Sequence, residues 1–369
     1  MNPRKLPQSI RDLRVPRVGV LASILVLVLV AGVTWASTWA VSDDAGNAPA
    51  ATREAQPRSS DGSGGTGRKD GGADETDEPG GGDAKTPGSD ALERSVRRFR
   101  AAQRRLAQRV SQQVERRSAP LELRVATFNV LGDSHTGPGG NKPAYYPDGS
   151  ARMNMAISIL RNNGIDVVGF QEFEASQYGM FAARAGEYSL WPGLSLGDKS
   201  VRFNIAWRSS AFTLVEAHSI SIPYAGGSRI EMPVVLLEST TTERRAWFAN
   251  FHNPADTPSL GNNARWRAEA AGIEIAYLTA LHEQDGDPVI VTGDFNERAE
   301  IFCRFTAGGI FSAAAGGSTG GSCAPPPSMQ VDWIFGSTGV AFDSYAVTGT
   351  GAASDHSMVQ ARATLVAVE

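Results

Sequence analysis

From Leu121 onward the sequence predicts an α+β domain, and three observations point to it. Short apolar runs recur and close on a polar residue, two longer stretches carry helical periodicity, and composition changes sharply just before Pro120. Strand-rich halves that each carry a helix fit two packed sheets flanked by helices.

The elements follow in order. LRVATFNV is a strand pattern that reaches Asn129. Arg152 to Asn163 has helical spacing and stops at Gly164, a residue suited to ending a helix. IDVVGFQEF is a buried strand over Asp166–Phe170 that runs out on Gln171 and Glu172. Phe203–Arg208 with Phe212–Ala217, and Val234–Glu238 with Arg245–Phe251, read as two strand pairs, the last leading to His252. Asn263 to His282 is a long amphipathic helix feeding the strand Val289–Thr292. Gln330–Phe335, Phe342–Val347 and Met358–Leu365 close the chain as strands. No internal repeat is evident.

The residues before Pro120 form a tether in four parts. Residues 1–17 carry Arg4, Lys5, Arg11, Arg14 and Arg17 against Asp12 alone, and residues 18–42 hold no charge. A helix of that length spans ~36 Å, enough for a bilayer. Trp35 and Trp39 sit near its outer end, and the basic flank places the N-terminus in the cytoplasm with the remainder outside. A signal peptide cut near Thr38-Trp39-Ala40 is the alternative, although the apolar run is long for one. Residues 43–90 are rich in Gly, Ser, Pro and Asp, too polar to offset chain entropy, and are expected to be a disordered linker. Residues 91–118 hold nine Arg against two Glu, with Leu92, Val96, Phe99, Leu106 and Val110 at heptad-like spacing interrupted by Gln103 and Gln113. This basic helical stalk could pack weakly on the next domain, self-associate, or meet anionic lipid or nucleic acid.

Charge divides with this organisation. The tether is net +5 and the remainder net −9, so a polyanion gains general attraction from the stalk and none from the folded domain. Cys303 and Cys323 flank a Gly/Ala/Ser-rich segment. Outside the cytoplasm a disulfide is the expected state, worth ~3 kcal/mol for a loop of this length, with two free buried thiols as the alternative.

Polar residues gather at or near the ends of apolar runs: Asn129, Gln171-Glu172, Asn250 and His252, Gly293-Asp294-Phe295-Asn296, Asp332 within its strand, and Ser354-Asp355-His356. In this order and context the set resembles the endonuclease/exonuclease/phosphatase superfamily, the DNase I-like fold, over Leu121 to Val368. The resemblance implies a four-layer α/β/β/α sandwich and a catalytic domain over 121–369. It implies a divalent cation, Mg²⁺ or another such as Mn²⁺ or Ca²⁺, held by Glu172 with help from Asn129. It further implies His356 as general base or charged group at the phosphate, Asp332 as the carboxylate that orients it, and Asp355 as a second acid near metal or water. His252 then contacts the phosphate or assists the leaving oxygen. Strand alternation places Asp294 and Asn296 on one face to position water and phosphate, with Phe295 turned to the core. An Asx turn ending the strand is the competing reading.

Four further residues are weaker substrate-binding candidates: Asn250, which shares parity with His252; Arg265 and Arg267, which open the helix after His252; and His135, in the loop LGDSHTGPGG. His218 and His282 read as surface or packing residues. The expected activity is metal-dependent hydrolysis of a phosphate ester outside the membrane, with nucleic acid as the leading substrate. A phospholipid or small phosphate ester is the second reading, favoured by the tether and by Ile301, Phe302, Phe305, Ile310 and Phe311, which could be a membrane-facing loop or core. A non-catalytic surface binding domain is a third.

Overall fold

The computed structural model describes residues 87–142, 144–259 and 261–367. The expected cytoplasmic segment, membrane span and nearly all of the linker therefore lie outside the described residues. Among the described residues no helix is long and apolar enough to cross a membrane.

The first element is helix α1, Pro87–Ser118. Leu92, Phe99, Leu106 and Val114 stay exposed along it in the single chain. Its last turn meets the folded domain: Arg116 pairs with Glu243 at 2.8 Å, and Arg244 donates to the carbonyls of Ser118 and Ala119.

Twelve strands follow in two six-stranded sheets. The first sheet contains β1 (Leu121–Asn129), β2 (Val167–Gln171), β3 (Tyr188–Trp191), β4 (Asn204–Arg208), β11 (Val340–Thr348) and β12 (Met358–Leu365), in the order β11-β12-β1-β2-β4-β3. The second contains β5 (Phe212–Pro223), β6 (Arg229–Ser239), β7 (Arg245–His252), β8 (Val289–Asp294), β9 (Phe311–Ala313) and β10 (Asp332–Ser337), in the order β5-β6-β7-β8-β10-β9. Each sheet has one parallel pair at its centre, β1 with β2 and β7 with β8. A parallel pair needs a crossover. Helix α2 (Gly149–Asn162) makes the first and α4 (Ala264–Asp285) the second.

Three apolar clusters lie between the layers. Val125, Val167 and Trp207 of the first sheet meet Leu237, Phe248 and Ile290 of the second. Met153, Ile157 and Phe181, from α2 and α3 (Ala175–Arg184), cover the outer face of the first sheet. Leu278, Ile301 and Phe305, from α4 and α5 (Ala299–Thr306), cover that of the second. The result is the α/β/β/α sandwich.

Between the sheets one polar clamp interrupts the apolar packing. Asn250 Oδ1 accepts from Gln171 Nε2 at 2.6 Å and Thr292 Oγ1 at 3.2 Å, while its Nδ2 donates to the Phe170 carbonyl at 2.7 Å. Position 169 has to be glycine here, because a Cβ would stand 2.0 Å from Thr292 Oγ1.

Several elements differ from the sequence expectation. Helix α3 has an interrupted apolar stripe, and its signal was the capping box in which Glu174 and Gln177 satisfy each other's backbone N–H groups. Strands β5 and β6 run longer than expected, since β5 is largely solvent-facing and carries polar residues well past Ala217. The candidate membrane-facing segment is corrected: Ile301, Phe302, Phe305 and Phe311 are buried in the core, and Ile310 packs against it. Cys303, on α5, is joined to Cys323 by a disulfide with Cα atoms 5.3 Å apart.

Candidate active site

Register assembles the site. Across the second sheet His252 is opposite Asp294, and Asp294 is opposite Asp332, so three strand termini line one edge. In the first sheet Asn129 is opposite Gln171, which brings Glu172 to the same end. Ser354 Oγ donates to the Asn129 carbonyl at 2.7 Å and docks the Ser354–His356 turn beside β1.

His356 Nδ1 donates to Asp332 Oδ2 at 2.9 Å, a carboxylate that only accepts, which leaves Nε2 facing Asp294 Oδ2 at 3.8 Å. Burial works to lower the His356 imidazole. The Asp332 hydrogen bond and charge, aided by Asp294 and Asp355, outweigh it and push it up to about 10. Asp332 is fully enclosed, and burial together with the neighbouring Asp294 raises its carboxyl above the usual range. Asp294, Asp332 and His356 form the one group of three or more acidic, imidazole or thiol side chains among the described residues close enough to share an ion. The dyad geometry accounts for them without one.

Glu172 leaves the end of β2 with φ 57, and Leu131, just past β1, has φ 55. Left-handed backbone at non-glycine residues costs ~1–2 kcal/mol each and is characteristic of functional sites. The strain turns the Glu172 carboxylate into the cleft. Its Oε1 accepts from Asn129 Nδ2 at 3.2 Å and its Oε2 from the Gly132 N–H at 3.1 Å. Burial favours the neutral carboxyl, but His252, the Gly132 N–H and Asn129 together hold it below its ordinary value. Asn129 Nδ2 also donates to Asp294 Oδ2 at 3.0 Å. One amide nitrogen thus sits between two carboxylates. Asn129 presents nitrogen rather than the expected oxygen, its Oδ1 being bound to the Leu131 N–H.

Asn296 requires a correction. Strand β8 ends at Asp294, and Asn296 lies beyond it with φ 51, so strand alternation does not apply. Its N–H donates to Asp294 Oδ1 at 3.0 Å, the Asx turn, and its Nδ2 donates to the Asn253 carbonyl at 2.8 Å. Asn296 fixes Asp294 and the loop after His252, with Phe295 buried as expected. His252 is buried with Nε2 3.6 Å from Asp294 Oδ2, and its Nδ1 makes no hydrogen bond.

Four other candidates are placed away from the reacting groups. Asn250 is the inter-sheet clamp and is fully buried. Arg267 is buried against Asp256, at 2.8 and 2.9 Å, and Glu297, so it braces the loop rather than meeting substrate. Arg265 is exposed and lies over the ring of Trp266 at 4.4 Å. Asp355 turns outward and pairs with Lys142, acting on His356 only through its charge. His135 does border the cleft, with Nε2 3.4 Å from Glu172 Oε2.

Sequence reasoning missed four residues. Arg152 donates to the carbonyls of Val130, Leu131 and Gly132, and so holds the loop after β1. Gln177 Nε2 donates to the Leu131 carbonyl at 3.0 Å. Tyr224 is packed edge-on to the His252 ring, and burial with Glu172 and Asp294 raises its phenol. Lys142 pairs with Asp355. Two of them carried a signal: Gln177 as the third helical residue, in the capping box that opens α3, and Lys142 as the sole lysine of a glycine-rich loop following a site strand.

The Endonuclease/Exonuclease/phosphatase family model matches residues 126–356. Among similar solved structures is an endonuclease/exonuclease/phosphatase family protein from Bacteroides thetaiotaomicron, with 18% identity, covering 67% of this chain and 98% of that one, TM-score 0.54. A mannosyl-6-phosphatase from the same organism shows 19% identity over 65% of this chain and 99% of that one, TM-score 0.53. The human Nocturnin catalytic domain shows 19% identity over 66% and 94%, TM-score 0.50. No curated protein matches the chain. With the family model covering more than half of its length and spanning both walls of the cleft, the chain belongs to the endonuclease/exonuclease/phosphatase family and is a hydrolase of phosphoester bonds.

Proposed function

We propose that this enzyme is a divalent-metal-dependent phosphodiesterase of nuclease type, anchored by residues 18–42 with its catalytic domain outside the membrane. The observation that carries the reading is the meeting of the Asp332–His356 dyad with Asp294, Asn129 and Glu172 at one end of both sheets. The donor set fits a hard cation, because two carboxylates converge on the single Asn129 amide. Glu172, with the amide turned to present its oxygen, would hold the ion. Bound there, the ion supplies Lewis-acid polarisation of the phosphoryl oxygen and stabilises the leaving oxygen.

The chain's own groups do the rest. His356 faces the cleft as an imidazolium stabilised by Asp332, with Nδ1 on that carboxylate and Nε2 placing positive charge at the phosphate. Asp294, fixed by the Asn296 N–H, orients the attacking water and takes its proton. His252 Nε2 provides a donor to the phosphate oxygens.

Two features bear on substrate. Tyr145 and Tyr146 have ring centroids 4.4 Å apart with their planes tilted by 34°, and Tyr145 is exposed. An exposed aromatic ring suits stacking of a nucleobase. The domain's net −9 disfavours long duplexes, so short single strands and ends fit better. The lipid reading loses one of its two supports, since the candidate membrane loop is core, and keeps only the tether.

The test assays the detergent-solubilised chain on single-stranded DNA, RNA, sphingomyelin, inositol phosphates and mannose 6-phosphate, with Mg²⁺ or Mn²⁺ and with chelator. Turnover of nucleic acid that chelator abolishes is expected. Turnover confined to lipid or sugar phosphate, or indifferent to chelator, would overturn the reading. Protease added to intact cells should release a fragment beginning within residues 43–90, and protection of the C-terminal domain would remove the proposed topology.

A further inference from the structure

We propose that His135 is a ligand of the divalent cation, presenting Nε2 beside the Glu172 carboxylate, and that the site consequently prefers a transition ion that accepts nitrogen, such as Mn²⁺, over Mg²⁺. The inference rests on the metal site proposed above and adds to it a nitrogen ligand.

Tautomer and spacing carry the argument. His135 Nδ1 lies 2.8 Å from Asn141 Oδ1, an amide oxygen that can only accept, so Nδ1 bears the proton. In the neutral ring Nε2 then holds a bare lone pair, and it points at Glu172 Oε2 from 3.4 Å. Two lone pairs so placed repel unless positive charge lies between them. A proton is one solution, but charge-assisted N–H···O contacts draw in to ~2.7–2.9 Å. Nitrogen and oxygen ligands that each lie about 2.1 Å from one ion, at angles from octahedral to tetrahedral, stand about 3.0–3.4 Å apart. The observed separation matches shared ligation.

The surroundings are arranged for it. A ligating histidine characteristically gives its other N–H to an oxygen that fixes tautomer and ring plane, and Asn141 does so here. The Lys142 N–H, next in sequence, donates to the His135 carbonyl at 3.1 Å and holds the loop in register. Position 132 leaves room for the ring: a Cβ there would lie 3.2 Å from His135 Cδ2 and 2.9 Å from Glu174 Oε1. The Gly132 N–H meanwhile binds the same Glu172 oxygen that faces the ring. His135 is about one-third exposed, which leaves an ion free to enter and leave. Imidazole suits Zn, Cu, Fe and Ni best; Mn²⁺ still accepts it more readily than Mg²⁺, which demands oxygen ligands in near-ideal octahedral geometry and retains its waters.

The test titrates the full chain in detergent with Mn²⁺, following free Mn²⁺ by EPR and nitrogen coupling by pulsed EPR, and measures Mg²⁺ by competition. Wild type should show nitrogen coupling to bound Mn²⁺. His135→Ala should lose that coupling and about 10-fold or more in Mn²⁺ affinity, with Mg²⁺ affinity changed by less than about 3-fold. Asn141→Ala, which removes a positioning residue, should weaken Mn²⁺ with coupling retained. Bound Mn²⁺ without nitrogen coupling in wild type, or coupling that survives His135→Ala and disappears in His356→Ala, would overturn the inference alone and move the ion to the Asp294–Asp332–His356 group. Equal losses for both ions in His135→Ala would reduce His135 to a structural role. No Mn²⁺ binding by wild type would overturn the metal site and the inference together.

Discussion

The two walls of the cleft end in the same pair of groups, a carboxylate and an imidazole, and set them differently. On the wall of the second sheet the Asp332 carboxylate receives His356 Nδ1 at 2.9 Å, in a buried pocket beside a further carboxylate, Asp294. On the wall of the first sheet an amide, Asn141, receives His135 Nδ1, and the Glu172 carboxylate faces the opposite nitrogen at 3.4 Å. The choice of partner at Nδ1 decides the role. A carboxylate stabilises the imidazolium, so His356 is suited to carry a proton. An amide fixes the ring without adding charge, so His135 is suited to offer a lone pair. Exposure follows the same division, with His356 the more buried of the two side chains.

The largest test of this contrast is His356→Ala, which should cost at least ~10²-fold in turnover while Mn²⁺ binding persists. Full activity in that variant would break the comparison at its stronger side. Asp332→Asn should fall by a similar factor, since the amide leaves the imidazole in the wrong tautomer. Because the dyad acts as one unit, combining the two changes should cost far less than the product of the separate losses. Multiplicative losses in a kinetic double-mutant cycle would show that the two residues work independently.

A third carboxyl, away from both walls, sharpens what burial without a partner does. Glu274 on α4 is fully buried, neither of its oxygens makes a hydrogen bond, and burial raises it to about 8, with Glu297 adding to the rise and Asn253 and Arg304 opposing it. The folded state then binds more protons than the unfolded one between the ordinary value and about 8. Stability should therefore fall as pH rises through that window and level off above it. Glu274→Gln should flatten the dependence and stabilise the fold at pH above 8 by on the order of 1–3 kcal/mol. Chemical denaturation across pH checks it, and an unchanged slope would mean that the carboxyl is ionised and paired.

Asn250→Ala should destabilise by about 1–3 kcal/mol, read from denaturant midpoints, because it strips partners from buried Gln171 and Thr292. The smallest effect belongs to Arg265→Ala, expected to change kcat/KM by less than about 2-fold, since its guanidinium rests on Trp266. A large rise in KM there would return Arg265 to the substrate site.

Much of the site was legible because its residues stand where apolar runs stop, and a strand end is a local property. Asn129, Glu172, His252 and Asp294 could each be placed at a terminus from the sequence, whereas Asp332 read as lying inside a strand from Gln330 and proved to be its first residue. Parity also put Asn250 on the face of His252, but parity cannot say which residue faces the opposing sheet and which clears its edge. Asn250 lies two residues deeper and meets Phe170 and Gln171 across the interface. Asn296 looked like a continuation of β8 because alternation gives no notice of where a strand ends.

The sequence alone determined the α+β class, the helices α1, α2 and α4, and the polar strand ends, since each depends on neighbours within a few residues or on composition. Tertiary structure decided the pairing of those ends. The parallel and antiparallel registers set His252, Asp294 and Asp332 side by side. It also decided that Arg267 would be spent on Asp256 and Glu297, and that Ile301 to Phe311 would be core, because a short apolar run reads alike whether it meets lipid or protein. The orientation of His135 required a loop folded back through Asn141, a contact between residues whose separation in sequence carries no period that a strand or helix would impose.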